Sequence, residues 1–154
     1  MDSDTLVAGC NDHAIKLIDL EKTFLIKQSI MTDYKTPTCM DSSSNLVLIG
    51  CEDSTLRLYD TRSSGSKMAA QFQAHNRWIT GVKFNSLVEN VFISSSIDGT
   101  VRLWDLRNQD VPLANLKHKT AESCDDFKIF GLEWNGASQI LSGGSDSHVS
   151  VHSM

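Results

Sequence analysis

The sequence predicts an all-β fold built from about three and a half repeats of four antiparallel strands. Three observations predict it: aspartates recurring at one period, a tight-turn signature at the first aspartate of each repeat, and strand-like alternation with no amphipathic helix. Four rows carry the period: GCNDHAIKLIDL at 9–20, GCEDSTLRLYDTR at 50–62, SSIDGTVRLWDLR at 95–107 and GGSDSHVSVHSM at 143–154. The first aspartates, Asp12, Asp53, Asp98 and Asp146, are 41, 45 and 48 residues apart. The second ones, Asp19, Asp60 and Asp105, repeat the spacings of 41 and 45. Two landmarks keeping one period of this length mark a repeat architecture of strands.

The third repeat shows the elements most fully. Residues 78–84, WITGVKF, read as a strand with Trp78, Thr80, Val82 and Phe84 on one face. Strands at about 91–96 and 100–106 flank Asp98-Gly99, a pair that favours a hairpin because glycine tolerates positive φ. Residues 112–118, PLANLKH, read as an edge strand opened by Pro112. Four such strands make one propeller blade. Blade remnants are expected at about 1–34, 35–74, 75–117 and 118–154. The first is expected to enter at its second strand, near Thr5, and the last to leave in its third, at Val151. Both ends of such an open fragment would expose unpaired edges and half-covered faces, which predicts either an open half-propeller or a self-associated dimer.

Charge and composition narrow the function. The 154 residues hold 14 basic and 19 acidic side chains, a formal charge of −5. That balance lacks the clustered positive charge needed to bind nucleic acid or an anionic membrane directly. No apolar run reaches the ~18 residues of a membrane span, and the amino terminus does not read as a signal peptide, so a soluble intracellular chain is expected. Cys10, Cys39, Cys51 and Cys124 form no CxxC pair and read as reduced, packed thiols. No cofactor is expected. His148 and His152 lack a third metal ligand, and Gly143-Gly144 lacks the lysine of a phosphate loop. Glu122, Asp125 and Asp126 read as a solvated acidic loop.

The rows resemble the WD-repeat β-propellers. Trp104-Asp105 is the signature dipeptide, with Tyr59-Asp60 and Ile18-Asp19 as weaker forms and His152-Ser153 in the last row. The resemblance implies a buried hydrogen-bonded tetrad of His75, Ser94, Asp98 and Trp104. In the next blade it implies a partial tetrad of His118, Ser142 and Asp146, with His152 in the tryptophan position. Ala8 and Ile49 stand where serine belongs in the first two, so those blades are expected to rely on packing more than on polar contacts. A buried carboxylate needs donors, and such a network contributes only when it is fully satisfied. His75, Ser94 and Asp98 are also the residue types of a hydrolytic triad, but an aspartate recurring at the structural period reads as a turn residue.

A narrower resemblance covers the last hundred residues. His75, Trp78-Ile79-Thr80, Val82-Lys83-Phe84, Ser94 through Asp98, Leu103 through Arg107, and Ile140 through Asp146 resemble the carboxy-terminal blades of the WD-repeat subunits of the PeBoW ribosome-assembly complex. The resemblance implies a non-enzymatic scaffold for other protein subunits, another propeller-bearing one among them, in the nucleolus and nucleoplasm of the nucleus. Nothing here matches the family's amino-terminal ubiquitin-like domain. Loops between blades should expose Asn76, Arg77 and Trp78 as candidate partner contacts. The rival reading is a substrate receptor of a cullin-type ubiquitin ligase, docking through Arg62 and Arg107 of its WDxR-like motifs.

Overall fold

The computed structural model describes residues 5–22, 25–62, 67–117, 127–136 and 138–153. Strands and tight turns account for most of them, and no helix is present among the described residues. The first sheet is β1 (Thr5–Cys10), β2 (Ala14–Asp19) and β3 (Leu25–Met31). The second is β4 (Pro37–Ser43), β5 (Leu46–Cys51), β6 (Thr55–Asp60) and β7 (Met68–Gln73). The third is β8 (Ile79–Phe84), β9 (Val91–Ser96), β10 (Thr100–Asp105) and β11 (Ala114–Lys117). The fourth is β12 (Ile129–Asn135), β13 (Gln139–Gly144) and β14 (Val149–Ser153). Each is an antiparallel meander with its strands in chain order, and β1, β4, β8 and β12 contact one another in succession. The sheets therefore stack as blades of a propeller arc.

Register makes the repeats superimposable. Ala8, Ile49, Ser94 and Ser142 lie opposite Lys16, Arg57, Arg102 and Ser150 in their hairpins. Because side chains alternate along a strand, this register gives each sheet a forward face and a back face. Ile15 and Leu17 on the forward face of the first sheet pack on Val47, Ile49 and Tyr59 of the second. Leu48, Leu56 and Leu58 of the second pack on Phe92 and Trp104 of the third. Ile93 and Val101 of the third pack on Ile129 and Ile140 of the fourth. Each side chain so buried contributes about 1.5–3 kcal/mol, so the sheets stabilise one another chiefly through these faces.

Close approach of the sheets depends on small residues and on bulges. A Cβ at Gly50 would lie 2.5 Å from Ile79 Cγ2 and 2.6 Å from Cys39 Sγ. The inner strands β4, β8 and β12 each carry a bulge, at Thr38, Thr80 and Phe130. The Thr38 hydroxyl donates to the Ile79 carbonyl at 2.6 Å, and the Thr80 hydroxyl to the Ile129 carbonyl at 2.8 Å. Each threonine thus ties its inner strand to the next one.

The bulge corrects one expectation. Trp78, Thr80, Val82 and Phe84 do not share a face, because the extra residue at Thr80 resets the alternation. Ile79 joins Val82 in the core, and Trp78 is left 56% exposed. The outer strand is also shorter than 112–118, spanning Ala114–Lys117. Asp105 bridges Asn108 rather than the outer strand, so that pairing stops at Leu103 opposite Ala114. The loop at 118–126, with His118, Glu122, Cys124, Asp125 and Asp126, lies outside the described residues.

Candidate protein-interaction site and the network beneath it

The third sheet brings His75, Ser94, Asp98 and Trp104 into one hydrogen-bonded chain. The Trp104 indole N–H donates to Ser94 Oγ at 3.0 Å, Ser94 Oγ lies 2.8 Å from His75 Nε2, and His75 Nδ1 lies 3.0 Å from Asp98 Oδ2. An indole N–H can only donate, so the Ser94 proton is free to go to Nε2. The neutral imidazole then carries its proton on Nδ1 and donates it to Asp98, and every group is satisfied. Asp98 also accepts from the backbone N–H groups of Asn76 at 3.1 Å and Thr100 at 3.0 Å, and from the Thr100 hydroxyl at 2.7 Å. Gly99, at φ 80°, makes the turn that aims these donors at the carboxylate.

Electrostatics follow from this arrangement. Burial lowers the His75 pKa below its ordinary 6.5, outweighing the opposing pull of Asp98. Burial also opposes the charge on Asp98, but the hydrogen bonds from His75, Thr100 and Asn76 outweigh it and hold the carboxyl well below 3.8. As pH falls through 6.5 the unfolded chain protonates its histidine before the folded one does, so stability is lost. The part contributed by Asp98 is present above 3.8 and is lost only below that value. Thermal melts between about pH 7.5 and about pH 5 are therefore expected to show a falling Tm, flattened by His75→Asn. A Tm that stays level across this window in the unsubstituted chain would refute the assignment.

The order serine, Nε2, Nδ1, carboxylate is that of a hydrolytic triad, yet the setting is wrong for one. Ser94 is fully buried, and its oxygen already accepts from Trp104. A nucleophile so placed cannot reach a substrate.

The other repeats solve the same turn differently. Lys16 pairs with Asp12 at 2.8 Å, and the buried Arg57 pairs with Asp53 at 2.8 Å while also donating to Cys51 Sγ at 2.9 Å. The second blade therefore adds a buried ion pair to its apolar packing. Its signal in the sequence is the basic residue four places after the turn aspartate, an interval that Arg102 repeats after Asp98. In the fourth sheet, His152 Nε2 lies 3.0 Å from Ser142 Oγ, taking the tryptophan's place, and Asp146 accepts from the His148 backbone N–H. His118 lies outside the described residues. Cys10, Cys39 and Cys51 are free, and burial pushes the Cys39 thiol up to about 12.

Above the third-sheet network sits an exposed ledge. Asn76, Arg77 and Trp78 occupy the β7–β8 loop with exposed side chains, while the Asn76 backbone N–H holds Asp98 and the Arg77 carbonyl accepts from Ser96 Oγ at 3.0 Å. The buried network thus fixes the backbone that presents Trp78. Arg62 and Arg107 are exposed but turn back on their own repeats. Arg62 Nη2 lies 2.7 Å from Asp60, and Arg107 Nη2 lies 2.6 Å from Asp105. These guanidinium groups hold both carboxyls at about 2.

Stacked sheets of three or four strands, with a His–Ser–Asp–Trp network at one hairpin, make an arc of β-propeller. Residues 66–105 match the family model described as "WD domain, G-beta repeat". Over 98% of its length the chain is 35% identical to the "Ribosome biogenesis protein WDR12 homolog" of Drosophila pseudoobscura pseudoobscura, covering 35% of that protein. It is 31% identical to the protein of the same name from Aedes aegypti, again over 98% of the chain and 34% of the relative. The chain thus spans about a third of the length of these relatives. In fold it is similar to the crystal structure of the computationally designed Ika4 protein, with a TM-score of 0.79 at 20% identity, covering 100% of this chain and 88% of that one.

Proposed function

We propose that the chain is a protein-interaction scaffold of ribosome biogenesis, acting in maturation of large-subunit precursors and pre-ribosomal RNA within a nucleolar assembly complex. Similarity across 98% of the chain to proteins named for ribosome biogenesis carries this reading. The sealed network supports binding rather than catalysis, and the charge of −5 favours protein partners over direct contact with RNA. The partner is another propeller-bearing subunit, met at Asn76, Arg77 and Trp78, in the nucleolus and nucleoplasm. An exposed tryptophan beside an arginine has the composition of an interaction hot spot.

Affinity capture with tagged chain tests this. Large-subunit precursors are expected to co-purify, and Arg77→Glu to weaken recovery of the partner about tenfold without lowering Tm. Undiminished recovery would remove this surface from the proposal. Recovery of a cullin-ligase adaptor, lost on Arg107→Ala, would favour the receptor reading; that docking would have to break the Arg107–Asp105 pair first.

A further inference from the structure

The inner strands β4, β8 and β12 are entered by one geometry. The backbone N–H groups of Glu52, Ile97 and Ser145 donate to the carbonyls of Thr36, Trp78 and Lys128 at 3.1, 3.1 and 2.9 Å. Counted back from the bulges at Thr38 and Thr80, Thr36 stands where Trp78 stands, and Lys35 where Arg77 stands. Lys35 and Arg77 are both exposed. The β3–β4 loop has a feature that the β7–β8 loop lacks. Its turn, closed by the Lys35 backbone N–H on the Thr32 carbonyl at 3.0 Å, holds Asp33 at φ 51° and Tyr34 at φ 59°. Two consecutive left-handed residues suit glycine, asparagine or aspartate, and a tyrosine there is strained. The surroundings impose it. Thr32 is fully buried and donates its backbone N–H and its hydroxyl to the His13 carbonyl at 2.8 and 2.7 Å, while Glu52 accepts from the Thr36 backbone N–H at 3.3 Å. The strained turn holds an aromatic ring that is 81% exposed and makes no hydrogen bond or ring contact among the described residues. Strain that secures no packing contact is a feature of binding surfaces.

We propose that Tyr34 and Lys35 extend the ledge at Asn76, Arg77 and Trp78 into one surface that binds an extended acidic segment of a protein partner. The proposal rests on the reading of that ledge as a partner contact. The two loops are neighbours, because the Thr38 hydroxyl bonds the carbonyl of Ile79, the residue after Trp78. Their side chains offer donors: the lysine ammonium, the guanidinium and the indole N–H can only donate, and the tyrosine hydroxyl can donate too. The carboxylates at the same end of the sheets are taken within the chain. Arg57 and Thr55 hold Asp53, His75 and Thr100 hold Asp98, Lys16 holds Asp12, and the Thr36 backbone N–H holds Glu52. A ligand that answers this surface therefore brings its own carboxylates. Asp33 is the exception, with no hydrogen bond or ion pair among the described residues. Beside Tyr34 it repels a continuous polyanion, so spaced carboxylates fit the surface better than a phosphate backbone does. The rings of Tyr34 and Trp78 take up the apolar side chains between those carboxylates.

Selection of short displayed peptides on the immobilised 154-residue chain tests this. Peptides with spaced aspartates and glutamates beside apolar residues are expected, bound more weakly as salt is added. Lys35→Glu and Trp78→Ala are each expected to weaken a selected peptide about tenfold. Tyr34→Gly is expected to weaken it equally while raising Tm, because glycine adopts φ 59° without strain. Selected peptides that are basic or uncharged would overturn the inference, and so would an empty selection. Acidic peptides whose binding ignores Tyr34→Gly and Lys35→Glu overturn it as well. Tighter binding of fluorescein-labelled oligouridylate than of the best peptide would assign the surface to RNA instead. Capture of large-subunit precursors, run in parallel, separates this inference from the scaffold reading. Precursors recovered by a chain that selects no acidic peptide leave the scaffold standing and this inference refuted. Acidic peptides held at Tyr34 with no precursors recovered give the reverse.

Discussion

Replacing Trp104 by alanine is expected to destabilise the chain by about 4 kcal/mol, lowering Tm by roughly 10 °C. The indole is fully buried where the second and third sheets meet. It stacks on Phe92 with centroids 6.1 Å apart and meets the edge of Phe72 at 5.6 Å. Truncation opens a cavity in that cluster and removes the donor to Ser94, two penalties that add because surrounding atoms relax only partly. Trp104→Phe separates them: a ring remains, the N–H does not, and a loss of about 1–1.5 kcal/mol is expected. Denaturant unfolding of both variants measures the difference. An alanine variant within 1 kcal/mol of the unsubstituted chain would mean that this cluster does not hold the two sheets together.

Gly50→Val is expected to cost about 3 kcal/mol by the opposite route, excess volume. The added Cβ meets Ile79 and Cys39 before the valine methyls are considered. Neither neighbour can withdraw easily, since Ile79 is fully buried in the core and Cys39 packs against it. The second and third sheets must therefore move apart, which also stretches the Thr38 bond to Ile79. Gly50→Ala should cost less, and Gly143→Ala almost nothing, because the nearest atom to a Cβ there is 3.8 Å away. Equal Tm values for Gly50→Val and Gly143→Val would show that sheet spacing is not set at Gly50.

Most of the repeat organisation was legible because two signals coincide in it, the aspartate period and the alternation along strands. Asp98-Gly99 marked its hairpin by local chemistry alone. The faces of the inner strands were not legible: a bulge inserts one residue without changing composition, and nothing in WITGVKF announces that Thr80 is the extra one. Ile79 consequently shares the core with Val82, and Trp78 stays exposed in the loop. The network at His75 was readable through the resemblance to WD-repeat propellers, which implies its four members position by position. The ion pair of Arg57 with Asp53 was not legible, although the same interval separates Asp12 from Lys16, because Arg102 follows Asp98 at that interval too, where His75 and Thr100 hold the carboxylate instead.

The run Ser94-Ser95-Ser96 gives β9 three identical residues, a stretch in which pattern alone cannot say which neighbour belongs opposite which. Each serine nevertheless has its own partner: Ser94 joins His75 and Trp104, Ser95 lies 3.2 Å from Thr80 Oγ1, and Ser96 bonds the Arg77 carbonyl and the Asp98 backbone N–H. A one-residue slip would turn all three to the wrong face. A two-residue slip would restore the face but leave a serine at only one of the three positions, so that most of these bonds are lost together. The buried polar chain thus acts as an alignment key for the hairpin, excluding misregistered pairings that a purely aliphatic strand of the same shape would accept.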